Sequence, residues 1–280
     1  MTQPAYRFQF LAPSGVGLPA PQAMTTSTAL YNQYLGSLQQ LRGRAYLQDG
    51  AIQPGQLDAC GRHRLSDDER CWHFVLVNQQ EQAIGCARYL LHSAEATYQQ
   101  LRIAQSPLAQ DPLWGSKLRQ VLEDTLQRTR HEQIGYAELG GWAIAEEYRN
   151  TKAALEILLA SYLWGERIGH CVCSCTATVR NHSSSILRRM GASSLQHQGE
   201  ALPAYFDAQY GCTMELLGFD SRQVPPRFTP LLQEMRSKLA QSPMIQYSAA
   251  AETSFSLDLA RLQAMLPAQP SSTPRLLQHS

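Results

Sequence analysis

Trp142-Ala143-Ile144-Ala145-Glu146-Glu147-Tyr148-Arg149-Asn150-Thr151-Lys152-Ala153-Ala154 is the stretch on which the fold turns. The residues before it, Gly135 to Ile144, read as a strand. After it Leu155, Leu158, Leu159, Tyr162 and Leu163 recur at helical spacing, so the stretch joins a strand to a long helix through a short acidic turn. A helix start presents backbone N–H groups and a partial positive charge, which suit a phosphate, and small residues such as Ala153 and Ala154 allow its approach. An ordinary solvated first turn would have the same composition.

Working outward, Thr26 to Leu47 reads as a helix with Leu30, Tyr34, Leu38 and Leu41 on one stripe. Cys71–Val77 and Ala83–Leu91 read as an antiparallel hairpin around a polar link. Helical periodicity returns at Trp114, Leu118, Val121, Leu122 and Leu126. Beyond the central stretch come a strand at Gly169–Thr176, a short helix at Asn181–Met190 closed by Gly191, and a strand at Cys212–Phe219. Phe228, Leu231, Leu232, Met235 and Leu239 mark an amphipathic helix, and Phe255–Met265 reads as another. This order predicts an α/β fold, a mixed sheet with helices on both faces. The expected divisions are a flexible segment over 1–25, a main α/β domain over 26–220, a helical extension over 221–266 and a disordered tail over 267–280.

The totals exclude several classes. Lysine plus arginine number 24 against 23 acidic residues in 280, a net charge of +1 that gives no global attraction to nucleic acid or membrane. The proline-interrupted start lacks the apolar run of a signal peptide or membrane span, which predicts a cytoplasmic protein. Seven cysteines then read as reduced thiols, and Cys171, Cys173 and Cys175 alternate along one face of a strand as small packing residues. No Cys-x-x-Cys pair, dinucleotide fingerprint, P-loop or Gly-x-Ser-x-Gly elbow is present, and His63, His73 and His170 lack partners at ligand spacing. No metal site and no tightly bound cofactor are therefore expected.

The central stretch resembles the acyl-donor loop of the GNAT superfamily of N-acyltransferases, where a strand ends in an acidic turn and Arg/Gln-x-x-Gly-x-Gly/Ala opens a helix. Arg149 and Ala154 match the first and last positions, and Lys152 stands where glycine is usual. Val179-Arg180-Asn181 and Arg188-Arg189-Met190-Gly191-Ala192 resemble the second motif of that superfamily, with Leu187 where many members place a tyrosine that protonates the leaving thiolate. Asn181 also reads as a simple N-cap. Arg42-Gly43-Arg44-Ala45-Tyr46, Gly85-Cys86-Ala87-Arg88 and Glu138-Leu139-Gly140-Gly141-Trp142 are similar to the acyl-carrier-protein-dependent branch, which contains the acyl-homoserine-lactone synthases and long-chain N-acyl amino acid synthases. Gly141 departs from that branch, which often has arginine there.

The resemblance implies a mostly antiparallel, splayed sheet and transfer of an acyl group from a pantetheine thioester to the amine of an amino acid or small amine. Acyl-CoA and an acyl carrier protein are both possible donors. Trp142, Ala143, Ile144, Arg149, Asn150, Thr151, Lys152, Ala153, Ala154 and Asn181 would bind that donor, and Arg42 and Arg88 the acceptor. An amine attacking a thioester must lose a proton, and Glu138, mid-strand, is the candidate base; it equally suits a structural ion pair with Arg88 or Arg42. Arg128, Arg130, Arg149, Lys152, Arg188 and Arg189 would steer an acidic carrier protein or simply form solvated helix faces. A catalytically weakened module that binds an acyl thioester or a protein partner is the alternative that Leu187 and Lys152 allow.

Overall fold

A computed structural model describes residues 6–14, 24–180 and 182–247. The first strands are β1 (Tyr6–Ala12) and β2 (Met24–Thr26), followed by helix α1 (Thr28–Gln48) and the hairpin β3 (Trp72–Asn78) and β4 (Ala83–Leu91). Helices α2 (Pro107–Gln110) and α3 (Gly115–Glu132) lead into β5 (Gly135–Ile144), α4 (Lys152–Arg167), β6 (Cys171–Thr178) and α5 (Ser183–Arg189). Short strands β7 (Ser193–Ser194), β8 (Gln196–His197), β9 (Glu200–Ala201) and β10 (Tyr205–Asp207) precede β11 (Cys212–Asp220), α6 (Thr229–Gln241) and β12 (Met244–Gln246).

The main sheet runs β10-β11-β6-β5-β4-β3-β1-β12-β2, with β7 beside β11. Its pairs are antiparallel except β5 with β6 and β12 with β1 and β2. Alternation divides the side chains between two faces. Ala137, Cys171 and Cys173 pack under α4 and α6, whereas Tyr136 lies with Leu118, Leu122 and Leu126 of α3. Helix α1 covers the other half of that second face, with Tyr31, Leu38 and Leu41 against Val75, Val77 and Cys86. All seven cysteines are free thiols, and Cys175 is pushed up to about 12 by burial, which suits packing rather than reactivity.

Two expectations need correction. The segment placed in a flexible start contains β1, which pairs with β3 from Tyr6 to Leu11 and buries Phe8, Phe10, Leu11 and Ala12. Its Tyr-Arg-Phe-Gln-Phe alternation is a strand signal that the surrounding prolines obscured. The region after 220 is also more than a helical extension: Met244 and Ile245, both buried, place β12 in the sheet between β1 and β2. The expected helix at Phe255–Met265 and the tail over 267–280 lie outside the described residues. No helix among the described residues is long and apolar enough to cross a membrane.

Candidate active site

Strands β5 and β6 pair from Gly135 with Cys171 as far as Leu139 with Cys175, and then stop pairing. Each continues on its outer neighbour, β5 along β4 to Ile144 and β6 along β11 to Thr178. The sheet is therefore splayed at its middle. Where β5 leaves β6, it also gains a residue against β4: Cys86 faces Ala143 but Arg88 faces Gly140, which is a β-bulge. Gly141 sits in the bulge with φ of 62°, a left-handed conformation that favours glycine.

A cavity of about 530 Å³ fills the splay and takes its walls from both sheet faces. Leu158, Ser161 and Tyr162 of α4 and Ser183 and Leu187 of α5 line one side. Glu138, Ser174, Arg88, Arg102 and Ile103 line the other, with Gly140, Gly141 and Trp142 at the passage between them. Tyr205, Asp207 and Tyr210 close the rim beyond β11. Its size falls within the range of small-molecule sites, and its mixture of apolar walls with a few polar groups is typical of them.

Glu138 is buried on the cavity wall, but neither proposed arginine is its partner. Oε2 accepts from the Arg102 backbone N–H at 2.8 Å and pairs with His92 Nε2 at 2.9 Å, while Oε1 accepts from the Ile103 N–H at 3.0 Å. The carboxylate thereby anchors the turn that carries Arg102 to the sheet. Two of the four acceptor positions of a carboxylate lie on each oxygen, so Oε1 keeps one.

The arginines separate by role. Arg42 is sealed from solvent, donating from Nη2 to Asp68 Oδ2 at 2.7 Å and from Nε to the His63 carbonyl at 3.1 Å. Burial opposes ionisation of Asp68, yet the Arg42 guanidinium holds its carboxyl well below the usual range. Arg42 lies outside the cavity wall, so the expected substrate contact is instead a buried structural pair. Arg88 does reach the wall. Its Nη1 pairs with Asp67 Oδ1, whose second oxygen takes Arg102 at 2.8 Å, and its Nε is buried without a hydrogen-bond partner. Gly140 lies alongside, since a Cβ there would stand 3.3 Å from Arg88 Nη2.

The turn between β5 and α4 differs from the open phosphate cradle expected. Thr151 caps α4, its Oγ1 accepting from Ala153 N–H at 3.2 Å, while the Tyr148, Arg149, Thr151 and Ala154 N–H groups bond within the turn. Ala153 packs into the core at 0% exposure rather than facing outward. Arg149 pairs with Asp49 at 3.1 Å, and Lys152 is drawn to Glu234 of α6 and Glu156. Of the expected donor residues that the structure describes, only Trp142 lines the cavity; Ala143 and Ile144 are buried on the β4 ladder, and Arg149 to Ala154 lie off the cavity wall. Asn181 is outside the described residues.

The basic patch is committed in part, with Arg128 and Arg189 exposed. Arg130 donates to the Ala94 and Ala96 carbonyls, and Arg188 pairs with Glu215. Leu187 lines the cavity where the resemblance implies tyrosine. Tyr162, a phenol on the same wall, donates to the Met190 carbonyl at 2.7 Å, and burial raises its pKa. Sequence reading missed His92, Asp67, Arg102 and Asp49. Asp67 and Asp68 carry no local signal of their role, because their partners Arg88, Arg102 and Arg42 lie on other elements.

No protein-family model matches the chain, and no curated protein matches it. Among solved structures, BjaI, described as a CoA-dependent acyl-homoserine lactone synthase with SAM and isopentyl-CoA, is similar at a TM-score of 0.51 and 12% identity, over 93% of this chain and 99% of that one. FeeM, an N-acyl amino acid synthase from uncultured soil microbes, aligns at 0.49 and 11% identity over 79% and 93%. NAA60 of Arabidopsis thaliana in complex with acetyl-CoA aligns at 0.44 and 10% over 78% and 100%. The likeness to BjaI, together with the splayed and bulged sheet, defines a GNAT-like fold.

Proposed function

We propose that the protein is an acyltransferase that moves an acyl group from a pantetheine thioester to the amine of an amino acid or small amine. The observation that carries this reading is the cavity passing between β5 and β6, with a carboxylate on its wall. A pantetheine arm entering the splay meets a strand, β5, whose β6 ladder has ended, so backbone groups there are available to its amides as a neighbouring strand's would be. Either acyl-CoA or an acyl carrier protein could present such an arm. BjaI's CoA-dependence favours the former by analogy, while the exposed Arg128 and Arg189 keep an acidic carrier protein in play.

In this reading the amine nitrogen attacks the thioester carbonyl and the C–S bond breaks. Oε1 of Glu138 takes the amine's proton, directly or through one water, and the departing thiolate takes a proton from solvent, as Leu187 offers none. Arg88, beside Gly140, faces the acceptor's polar end. The same Leu187, with a largely committed Glu138, favours the second reading, a module that binds an acyl thioester without turning it over.

One experiment separates them. Acyl-CoA and acyl carrier protein thioesters are offered with a panel of amines while free thiol is followed. Amine-dependent thiol release is expected with at least one donor, and Glu138→Gln should lower it about 100-fold or more. Absence of release with every donor and amine would leave only the binding module.

A further inference from the structure

A glutamate's last torsion is broad and nearly two-fold, so its rotamer alone does not decide which oxygen of Glu138 faces the cavity. Its hydrogen bonds decide. Arg102 N–H at 2.8 Å and His92 Nε2 at 2.9 Å occupy Oε2, and Ile103 N–H at 3.0 Å takes one position on Oε1. Three of the four acceptor positions are thereby filled, and the fourth lies on Oε1. Of the three donors only His92 is a side chain; the other two are backbone groups that any residue would supply.

The strand pairing brings His92 there. It follows β4 directly, and its N–H donates to the Tyr136 carbonyl at 3.0 Å, which carries the β4–β5 ladder one residue past Leu91. Leu90 faces Glu138 across that ladder, so His92 stands opposite Tyr136 and shares the sheet face of Glu138 as its diagonal neighbour. The imidazole lies 5.8 Å from the Tyr136 ring, whose hydroxyl is bonded to Ser174 Oγ at 2.7 Å, and the histidine side chain is 5% exposed. It is held on its own strand and against a fixed ring, yet it forms no part of the cavity wall. A group so placed acts on a substrate only through Glu138.

From this we infer that His92 is the positioning residue for Glu138 in acyl transfer, an inference that rests on the acyl-transfer reading. Facing a carboxylate, which can only accept, Nε2 carries the hydrogen and donates it to Oε2. Oε1 is then left to take the proton that the amine loses as its nitrogen bonds to the thioester carbonyl, while the Nε2 proton stays on the ring. The connection from β4 to α2 supplies all three donors, His92 at its start and Arg102 and Ile103 near its end, so one loop closes on one carboxylate from both sides.

Thiol release, with kcat and KM resolved for thioester and amine, tests the inference. His92→Phe keeps a ring against Tyr136 and loses the donor; His92→Gln keeps an N–H donor in the place of Nε2. His92→Phe should lower kcat about 10- to 100-fold, the cost of misplacing a reacting group by about 1 Å, with both KM values within about twofold. His92→Gln should restore most of that loss. Added to Glu138→Gln, His92→Phe should cost nothing further, because the two side chains act as one unit. If His92→Phe melts early, His92→Leu set against His92→Gln repeats the comparison. Unchanged kcat in the donor-free variants, an equal loss in His92→Gln, or the full loss repeated on top of Glu138→Gln overturns the role of His92 while acyl transfer stands. Wild-type turnover in Glu138→Gln removes the base, and this inference with it. If the wild-type chain releases no thiol from any donor, the acyl-transfer reading and the role of His92 fall together.

Discussion

At Gly141 the backbone holds φ at 62°, and a Cβ would stand 3.2 Å from Arg88 Cβ and 3.3 Å from Arg42 Nη1. Alanine there meets two costs, the left-handed conformation and contact with a pair of arginines that are already fixed by Asp67 and Asp68. Gly141→Ala should therefore destabilise the fold by about 1–3 kcal/mol and lower thiol release beyond what stability alone explains, because the bulge sets the position of Trp142. Denaturant unfolding alongside kinetics checks it, and a variant of wild-type stability would show that the bulge tolerates a side chain. Arg42 is read by the same logic. Removing a sealed cation leaves Asp68 buried and uncompensated, so Arg42→Ala should cost about 3–5 kcal/mol, whereas a residue that merely touched substrate would raise KM and leave stability alone.

Among the elements, the central strand-turn-helix was readable because three signals agree there: an apolar run, an acidic turn and 3.6-residue periodicity. The Gly135–Ile144 and Ala83–Leu91 strands have the bounds that the sequence suggests. What stayed hidden was non-local. Glu138 is legible as a carboxylate on a strand, but its partners come from Arg102, Ile103 and His92, whose approach depends on how a long connection folds back. Likewise β1 gains its place only through β3 and β12, the latter more than two hundred residues away. Phe10 tests that placement. It is 2% exposed and packs its ring against Phe74 and Trp164 at centroid distances of 5.6 and 5.8 Å. Phe10→Ala should cost about 3–5 kcal/mol in urea unfolding, and a change within about 0.5 kcal/mol would return the segment to a loose terminus.

For the molecule as a whole, acid tolerance is set by buried groups whose protonation the fold resists. His73, on β3, has Nε2 on the Asp68 carbonyl at 2.7 Å, and burial brings its pKa down from 6.5 to about 4. His63 is lowered to about 4 as well, by burial and then by the nearby Arg42 charge. In the unfolded chain both imidazoles titrate near 6.5. Between that pH and 4 the unfolded state therefore binds protons that the folded state refuses, and stability must fall as the solution is acidified. Asp68 contributes in the same sense but lower down: its carboxylate stays ionised against Arg42 when the unfolded group, near 3.8, is already taking a proton. Urea midpoints should thus be level from pH 8 to 7, decline steadily from 6.5 to 4, and steepen below that. His73→Gln should remove part of the first decline without touching the second. A midpoint that stays level to pH 5 would mean that these rings reach solvent, and with it that the packing of α1 and its acidic loop over the arginine cluster is looser than the hydrogen bonds around Arg42 require.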